Sequence, residues 1–507
     1  MATRCVIIGG GIGGLATACL LSKAGLDVHV YEKDSMVGGR AGRFEKDGFV
    51  FDTGPSWYLM PDVFEHFFEL MDEPIDTWLD LQKLTPAYKV FYEHTEPIVV
   101  TGNLDRDADT FEAVESGAGD ALKHYVSRSK DIYKLSLKHF LYTNFQDPRD
   151  LVNLSVLRKS LLLPTLLTKP IHSYVGSYVD DIRLKQILEY PMVFLGTSPF
   201  SAPAMYSLMS ALDFDEGVFY PKGGMYTIIE SIEAIARKHG VSIHTGSETQ
   251  KINTAHGVAT GITLTDGTQV EADIVISNAD LHYTETALLD APDRSYDEKY
   301  WQSKEPGPSA LLMYLGVDGE VPELEHHSLL FVDTWQQNFE AIYTDKQMPH
   351  PASIYISKIS QTDTGAAPVG KENVFVLVPL PAGVNIEEAE LQQLADTYLA
   401  QIEAMTGADL RGRLLVKELF GPNDFRTKYY SWQSSMLGQS HLLKQSAFFR
   451  TKNVSKKVQG LYYVGGSTTP GIGLPMCLIG AELVYKRIAG DRRGGRVARI
   501  DTIEEKS

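Results

Sequence analysis

A chain of 507 residues that is 43% hydrophobic and 22% charged has the composition of a globular protein with room for two or more domains, not of a disordered one. Its formal net charge of -18 would repel a phosphate polymer, which excludes nucleic-acid binding except at a local basic patch. No run approaches the ~20 apolar residues of a membrane-spanning helix, Met1 to Arg4 makes no secretory leader, and Cys5, Cys19 and Cys477 lack disulfide or zinc spacing, so the expected location is cytoplasmic, free or on a membrane face.

In chain order, Cys5-Val6-Ile7-Ile8 reads as a short buried strand. Behind it Gly9, Gly11 and Gly14, with Gly13 between, fit the G-x-G-x-x-G pattern: a tight turn, close approach to a pyrophosphate, and close packing of helix on strand. Helical spacing begins at Leu15, and residues 27–32 form a second strand. Glu32 stands where an acid meets a ribose 2′-hydroxyl and repels a 2′-phosphate, which points to an NAD-like or FAD-like ligand, and Lys33 follows it. Gly38, Gly39 and Arg40 then offer backbone amides and a guanidinium to the same phosphates. Taken singly, these motifs also fit a plain turn and a basic surface loop. Asp52-Thr53-Gly54-Pro55 adds a further turn.

Residues 61–71 have helical periodicity with Phe64, Phe67, Phe68 and Met71 on one side, a core pattern. Strands are predicted within 84–100, an acidic turn at 105–109, and a helix over 110–141. Segment 151–167 interleaves leucines with Arg158 and Lys159, which suits either an interfacial helix on anionic lipid or a core helix with a basic edge. Helices follow at 173–188 and 202–212, where Met205, Tyr206, Leu208 and Met209 are available to line a cavity. A helix at 226–239, a strand at 241–244, and a hairpin of 260–265 with 269–276 around Asp266-Gly267 come next. Strands at 310–317, 353–359 and 373–378 and a helix at 386–405 predict a second sheet. Near the end, residues 460–475 read as strand, glycine loop and a helix that Pro475 can start, whose positive end favours negative charge in the loop, such as that of a reduced flavin if the ligand is FAD-like; by itself the stretch also fits a plain strand-to-helix turn. The charged tail after Gly490 is expected to fray.

The opening motif with Gly38-Gly39-Arg40 resembles flavoproteins of the glutathione-reductase-like FAD fold. With Asp52-Thr53-Gly54-Pro55, Tyr220-Pro221-Lys222-Gly223-Gly224-Met225, Ser277-Asn278-Ala279-Asp280, Phe420-Gly421-Pro422-Asn423-Asp424-Phe425, Gln445-Ser446-Ala447-Phe448-Phe449-Arg450 and Gly465 to Pro475, the chain resembles the bacterial-type phytoene desaturases over nearly its whole length. Thr469 stands where that family's C-terminal motif has histidine.

The resemblance implies an α/β fold with α+β insertions: a discontinuous glutathione-reductase-like FAD-binding Rossmann domain (1–75, 220–285 and 440–490), a substrate-binding sheet domain (76–109 and 286–439), a helical, membrane-facing subdomain (110–219), and the charged tail 491–507. It implies that FAD binds at Gly9, Gly11, Gly13, Gly14, Glu32, Lys33, Gly38, Gly39, Arg40, Asp52, Thr53, Gly54, Pro55, Gly465, Pro470, Gly471, Ile472 and Gly473. The reaction implied is hydride abstraction from a linear polyene such as phytoene, taken from the membrane surface, with quinone or oxygen as final acceptor. Arg149 and Asp150 match a family Arg-Asp pair and are candidates for the proton step, or else a helix cap with a solvated partner. Carotene isomerisation, a later carotenoid desaturation or oxygenation, amine oxidation and non-catalytic flavin and isoprenoid binding are the alternatives.

Overall fold

The computed structural model describes residues 2–146 and 163–503. Arg4–Ile8 is the middle strand of a five-stranded parallel sheet, with Ile274–Ser277 and Leu461–Tyr463 on one side and Asp27–Tyr31 and Ser242–His244 on the other. Alternate side chains of a strand face opposite ways. Cys5 and Ile7 accordingly pack on three helices, Ile12–Lys23, Tyr226–Lys238 and Leu474–Ala489, whereas Val6 and Ile8 pack with a small antiparallel sheet of Thr249–Ala255, Val258–Leu264 and Gln269–Glu271.

A second sheet has seven strands in the order Leu414–Phe420, Ser309–Asp318, Lys371–Leu380, Ile354–Ser357, His327–Phe331, Tyr88–Tyr92 and Ile98–Val100. On one face Leu311, Met313, Val374 and Val376 pack under the helix Glu388–Thr406 through Leu391, Tyr398 and Leu399. On the other, Leu312, Tyr314, Phe375 and Tyr355 face a helical layer drawn from residues 104–216. Two of these strands, His327–Phe331 and Leu414–Phe420, are not anticipated from the sequence; all five residues of the first are buried, so no polar alternation marks it.

Several expectations are corrected. Residues 105–109 form no turn but the start of the helix Leu104–Val114, because the Asn103 side chain caps the Arg106 N–H and Asp105 and Asp107 suit the positive helix end. The predicted helix over 110–141 is broken at Gly117 (φ 85°), whose N–H donates to the Glu112 carboxylate. Helix 173–188 is two pieces, Ile171–Val175 and Ile182–Glu189, the second capped by Asp181. Segment 269–276 is likewise split: Gln269–Glu271 closes the hairpin, while Ile274–Ser277 crosses to the parallel sheet. The tail does not fray through residue 503. Val497 N–H donates to Glu482 (2.7 Å), Arg496 pairs with Asp62 (2.7 Å), and Ile503 N–H donates to the Ala24 carbonyl (3.0 Å).

Candidate cofactor and substrate site

One cavity of about 1110 Å³ opens where the parallel sheet, the seven-stranded sheet and the helical layer meet. It exceeds the roughly 300–1,000 Å³ of a usual small-molecule pocket. Its wall includes Gly9, Gly11, Gly13, Glu32, Lys33, Gly38, Gly39, Arg40, Thr53, Gly54, Pro55, Gly465, Pro470, Ile472 and Gly473, so residues far apart in the chain converge on a single space.

The glycine turn is forced by contact distances. A Cβ on Gly14 would stand 2.2 Å from the Gly9 carbonyl oxygen, and one on Gly11 or Gly13 would stand 2.8 Å from the Asn278 amide. Gly11 caps the helix Ile12–Lys23 with no side chain, and no acid sits in its first turn, which leaves the positive helix end facing the cavity. At the tip of the second strand Glu32 accepts from Gly10 N–H (2.7 Å) and Asp34 N–H (2.9 Å). Burial raises its carboxyl above the usual range against those two bonds, and each oxygen keeps a lone pair for a sugar hydroxyl. Lys33 pairs with Asp34 at 3.0 Å. Arg40 donates to the Ser431 hydroxyl (2.7 Å), while its Nε is buried without a partner among the described residues. An unpaired guanidinium N–H, a glycine turn at a helix N-terminus and a buried carboxylate on the following strand together fit the pyrophosphate and ribose of FAD.

Three expected residues stay off the cavity wall. Gly14 serves the helix-strand contact just described. Asp52 points away, accepting from Met225 N–H (2.8 Å) and Tyr226 N–H (3.1 Å) at the start of the helix Tyr226–Lys238; burial pushes its carboxyl up to about 6 despite these bonds. Gly471 backs onto His441, whose ring a Cβ would approach to 2.2 Å. Arg149 and Asp150 lie outside the described residues.

The C-terminal loop is held by residues to which the sequence assigned no role. Arg450 is buried, and its guanidinium donates to the carbonyls of Gln439 (3.0 Å), Gln445 (3.2 Å), Gly466 (2.5 Å) and Thr468 (3.1 Å). Burial lowers its pKa to about 10, which still leaves it charged at neutral pH. The Thr469 hydroxyl donates to the Thr451 carbonyl (3.1 Å). An imidazole nevertheless reaches this loop from elsewhere: His441 Nε2 accepts the Ile472 N–H (3.2 Å), and its Nδ1 lies 3.2 Å from the Tyr206 hydroxyl. That tautomer puts the proton on Nδ1, and burial keeps the ring neutral.

Beyond the loops the cavity is mainly apolar, with Arg128, Asp131 and Asn338 among the polar residues of its wall. Trp57, Tyr190, Phe194, Leu312, Leu329 and Phe331 line it, and so do Met205, Tyr206, Leu208 and Met209. Cys5 and Cys19 are core residues, whereas Cys477 lies on the wall. A buried carboxyl stands behind this face: Asp213 accepts from the hydroxyls of Tyr88 (2.7 Å) and Tyr190 (3.1 Å).

The family described as "Flavin containing amine oxidoreductase" matches residues 12–488. The chain is 40% identical to a carotenoid 3,4-desaturase of Haloarcula japonica, over 96% of this chain and 98% of that protein. It is 32% identical to a zeta-carotene-forming phytoene desaturase of Myxococcus xanthus, over 96% and 93%. Among solved structures, an oxidoreductase from Methanosarcina mazei is similar in fold (TM-score 0.60, 19% identity, 95% of this chain and 100% of that one). So is a putrescine oxidase variant (TM-score 0.62, 16% identity, 97% and 99%). The chain belongs to the flavin-containing amine oxidoreductases, and within them to the FAD-dependent carotenoid desaturases.

Proposed function

We propose that the protein desaturates a linear carotenoid such as phytoene, with FAD held at the glycine loops by the residues expected from the sequence that face the cavity. The observation that carries this reading is the single space joining those loops to the apolar face of the seven-stranded sheet. Bound FAD supplies a hydride acceptor. The chain supplies the rest: Glu32 and Arg40 fix the nucleotide, Arg450 orders the loop 465–473, and the aromatic wall excludes water and binds the polyene at about 0.8 kcal/mol per buried methylene. The 40% identity to a carotenoid 3,4-desaturase favours, as a second reading, action at the 3,4 position of a carotenoid.

In this proposal residues 1–75, 220–285 and 440–490 form the cofactor unit, 76–109 and 286–439 the substrate sheet unit, and 110–219 a helical unit that meets the membrane. Leu443, Phe448 and Phe449 of the cofactor unit support the last point: Phe448 packs on Phe145 of the helical unit (ring centroids 6.4 Å apart), and the three are 39%, 47% and 52% exposed and also line the cavity, as its mouth on a lipid surface would. No helix among the described residues is long and apolar enough to cross a membrane. The protein would then act from the cytoplasmic face with quinone or oxygen as final acceptor, and Asp150 with Arg149 is the pair to test for the proton step. Anaerobic incubation of the flavoprotein with phytoene in liposomes is the test: bleaching of the flavin with new polyene absorption is expected. Isomerised product without bleaching, or no change at all, would overturn the reading.

A further inference from the structure

His441 is buried, lines the cavity and has no part in the function described above, yet both nitrogens of its ring are bonded. The direction of each bond around it is fixed. The Ile472 amide can only donate, so Nε2 accepts it (3.2 Å) and the ring proton stays on Nδ1. Nδ1–H then donates to the Tyr206 hydroxyl oxygen (3.2 Å), Tyr206 donates to the Ser446 hydroxyl oxygen (2.8 Å), and Ser446 donates to the Leu442 carbonyl (2.8 Å). Each proton has one acceptor and none is left over. The His441 N–H is itself held by the Leu195 carbonyl (3.1 Å), so the ring hangs from a fixed backbone. Burial, with the Arg450 guanidinium nearby, holds the ring neutral; a protonated ring would offer an N–H where Ile472 already points one.

Ile472 stands at the junction of the two ligand regions. A Cβ on Gly13 of the opening turn would lie 3.2 Å from Val464 and 3.6 Å from the Gly465 nitrogen, so the start of the C-terminal loop touches the nucleotide end. A Cβ on Gly196 of the helical layer would lie 3.5 Å from Ile472 Cδ1, so the far end of the loop touches the layer behind the apolar part of the cavity. The redox ring of FAD has to lie between its nucleotide and the polyene, hence along this loop. The helix Leu474–Ala489 begins two residues after Ile472, with Gly473, Leu474 and Pro475 on the cavity wall, and its positive end favours the negative charge a flavin gains on reduction. How well that end is aimed depends on the backbone at Ile472. Gly471 (φ 148°) and Gly473 (φ 115°) flank it, so the segment has little stiffness of its own.

We propose that His441 is a positioning residue for the cofactor: it fixes the backbone at 471–473 through the Ile472 N–H, with Tyr206 holding its tautomer, and thereby raises the reduction potential of the bound flavin. The proposal rests on the reading that FAD lies along the glycine loops, and adds what controls its redox poise.

The midpoint potential of the FAD-loaded protein is the test, measured for the wild type, His441→Leu, His441→Gln and Tyr206→Phe, with flavin content and melting temperature recorded for each. His441→Leu leaves the Ile472 N–H without an acceptor and is expected to lose at least about tenfold of the preference for reduced over oxidised flavin, a fall of about 30 mV for the two-electron couple. Tyr206→Phe keeps the imidazole but frees its proton to move to Nε2, so a smaller fall in the same direction is expected. His441→Gln has an amide oxygen that can accept the N–H and is expected to stay nearest the wild type. A merely structural role would lower melting temperature and flavin content while the flavin that remains bound keeps its potential. That result in His441→Leu, or in Tyr206→Phe should His441→Leu fail to fold, overturns the proposal. Nitrogen NMR of the histidine-labelled wild type, with His441→Gln identifying the signal, is expected to show the proton on Nδ1; a proton on Nε2 overturns it as well. A potential that shifts as expected in a protein that converts no polyene supports the positioning role and counts against the desaturase reading, so the two failures are distinct.

Discussion

At Gly14 a single methyl group decides the outcome. Its Cβ would stand 2.2 Å from the Gly9 oxygen, so Gly14→Ala must push the helix off the strand. The variant is expected to lose bound FAD and about 1–3 kcal/mol of stability, read by flavin content and denaturant midpoint. Asp213 makes a pH prediction. Burial lifts its carboxyl from 3.8 to about 7, against hydrogen bonds from Tyr88 and Tyr190. The folded chain therefore keeps the proton longer than the unfolded one, and this carboxyl favours folding at low pH. That contribution is lost as pH rises from about 4 to about 7. Asp213→Asn cannot titrate, so its stability should fall less steeply across this window than that of the wild type. Buried neutral histidines such as His441 titrate in the opposite sense but are common to both chains, so the difference between the two unfolding curves isolates Asp213. A flat difference would refute the assignment.

At the scale of elements, the loop 465–473 depends on Arg450 more than on its own residues. Its guanidinium bonds four carbonyls, two on this loop and two on residues 439–445. Arg450→Met is expected to leave buried carbonyls unpaired, to cost at least about 2 kcal/mol and to weaken FAD binding, measured by chemical unfolding and flavin-release titration. Arg450→Lys keeps the charge but not the fork geometry and should fall between the two. The elements that carry regular local signals agree with the sequence: Ile12–Lys23 follows its glycine turn, and Pro61–Leu70 buries Phe64, Phe67 and Phe68. Two of those that do not agree were each decided by a local cap or a strand pairing. Asn103 turned an acidic run into a helix start, and pairing with Arg4–Ile8 pulled Ile274–Ser277 out of the hairpin.

For the molecule as a whole, the C-terminal segment ties distant elements together. Arg496 pairs with Asp62, Val497 bonds Glu482, and Ile503 bonds Ala24, so the segment straps the helix Leu474–Ala489 to the end of Ile12–Lys23. Removing residues 491–507 should cost at least about 2 kcal/mol and hasten flavin loss on heating, followed by flavin fluorescence during a thermal ramp. The sequence by itself determined the glycine turns, the acid on the second strand, the family and therefore the cofactor, because turn chemistry and strand alternation act over a few residues and can be read in order. Only the tertiary structure decided that Asp52 caps a helix instead of facing the cavity, that His441 reaches the loop at Ile472, and that Tyr206 shares the wall with Gly11. Those outcomes depend on side chains separated by tens to hundreds of residues meeting in one space, and no local pattern encodes such a meeting.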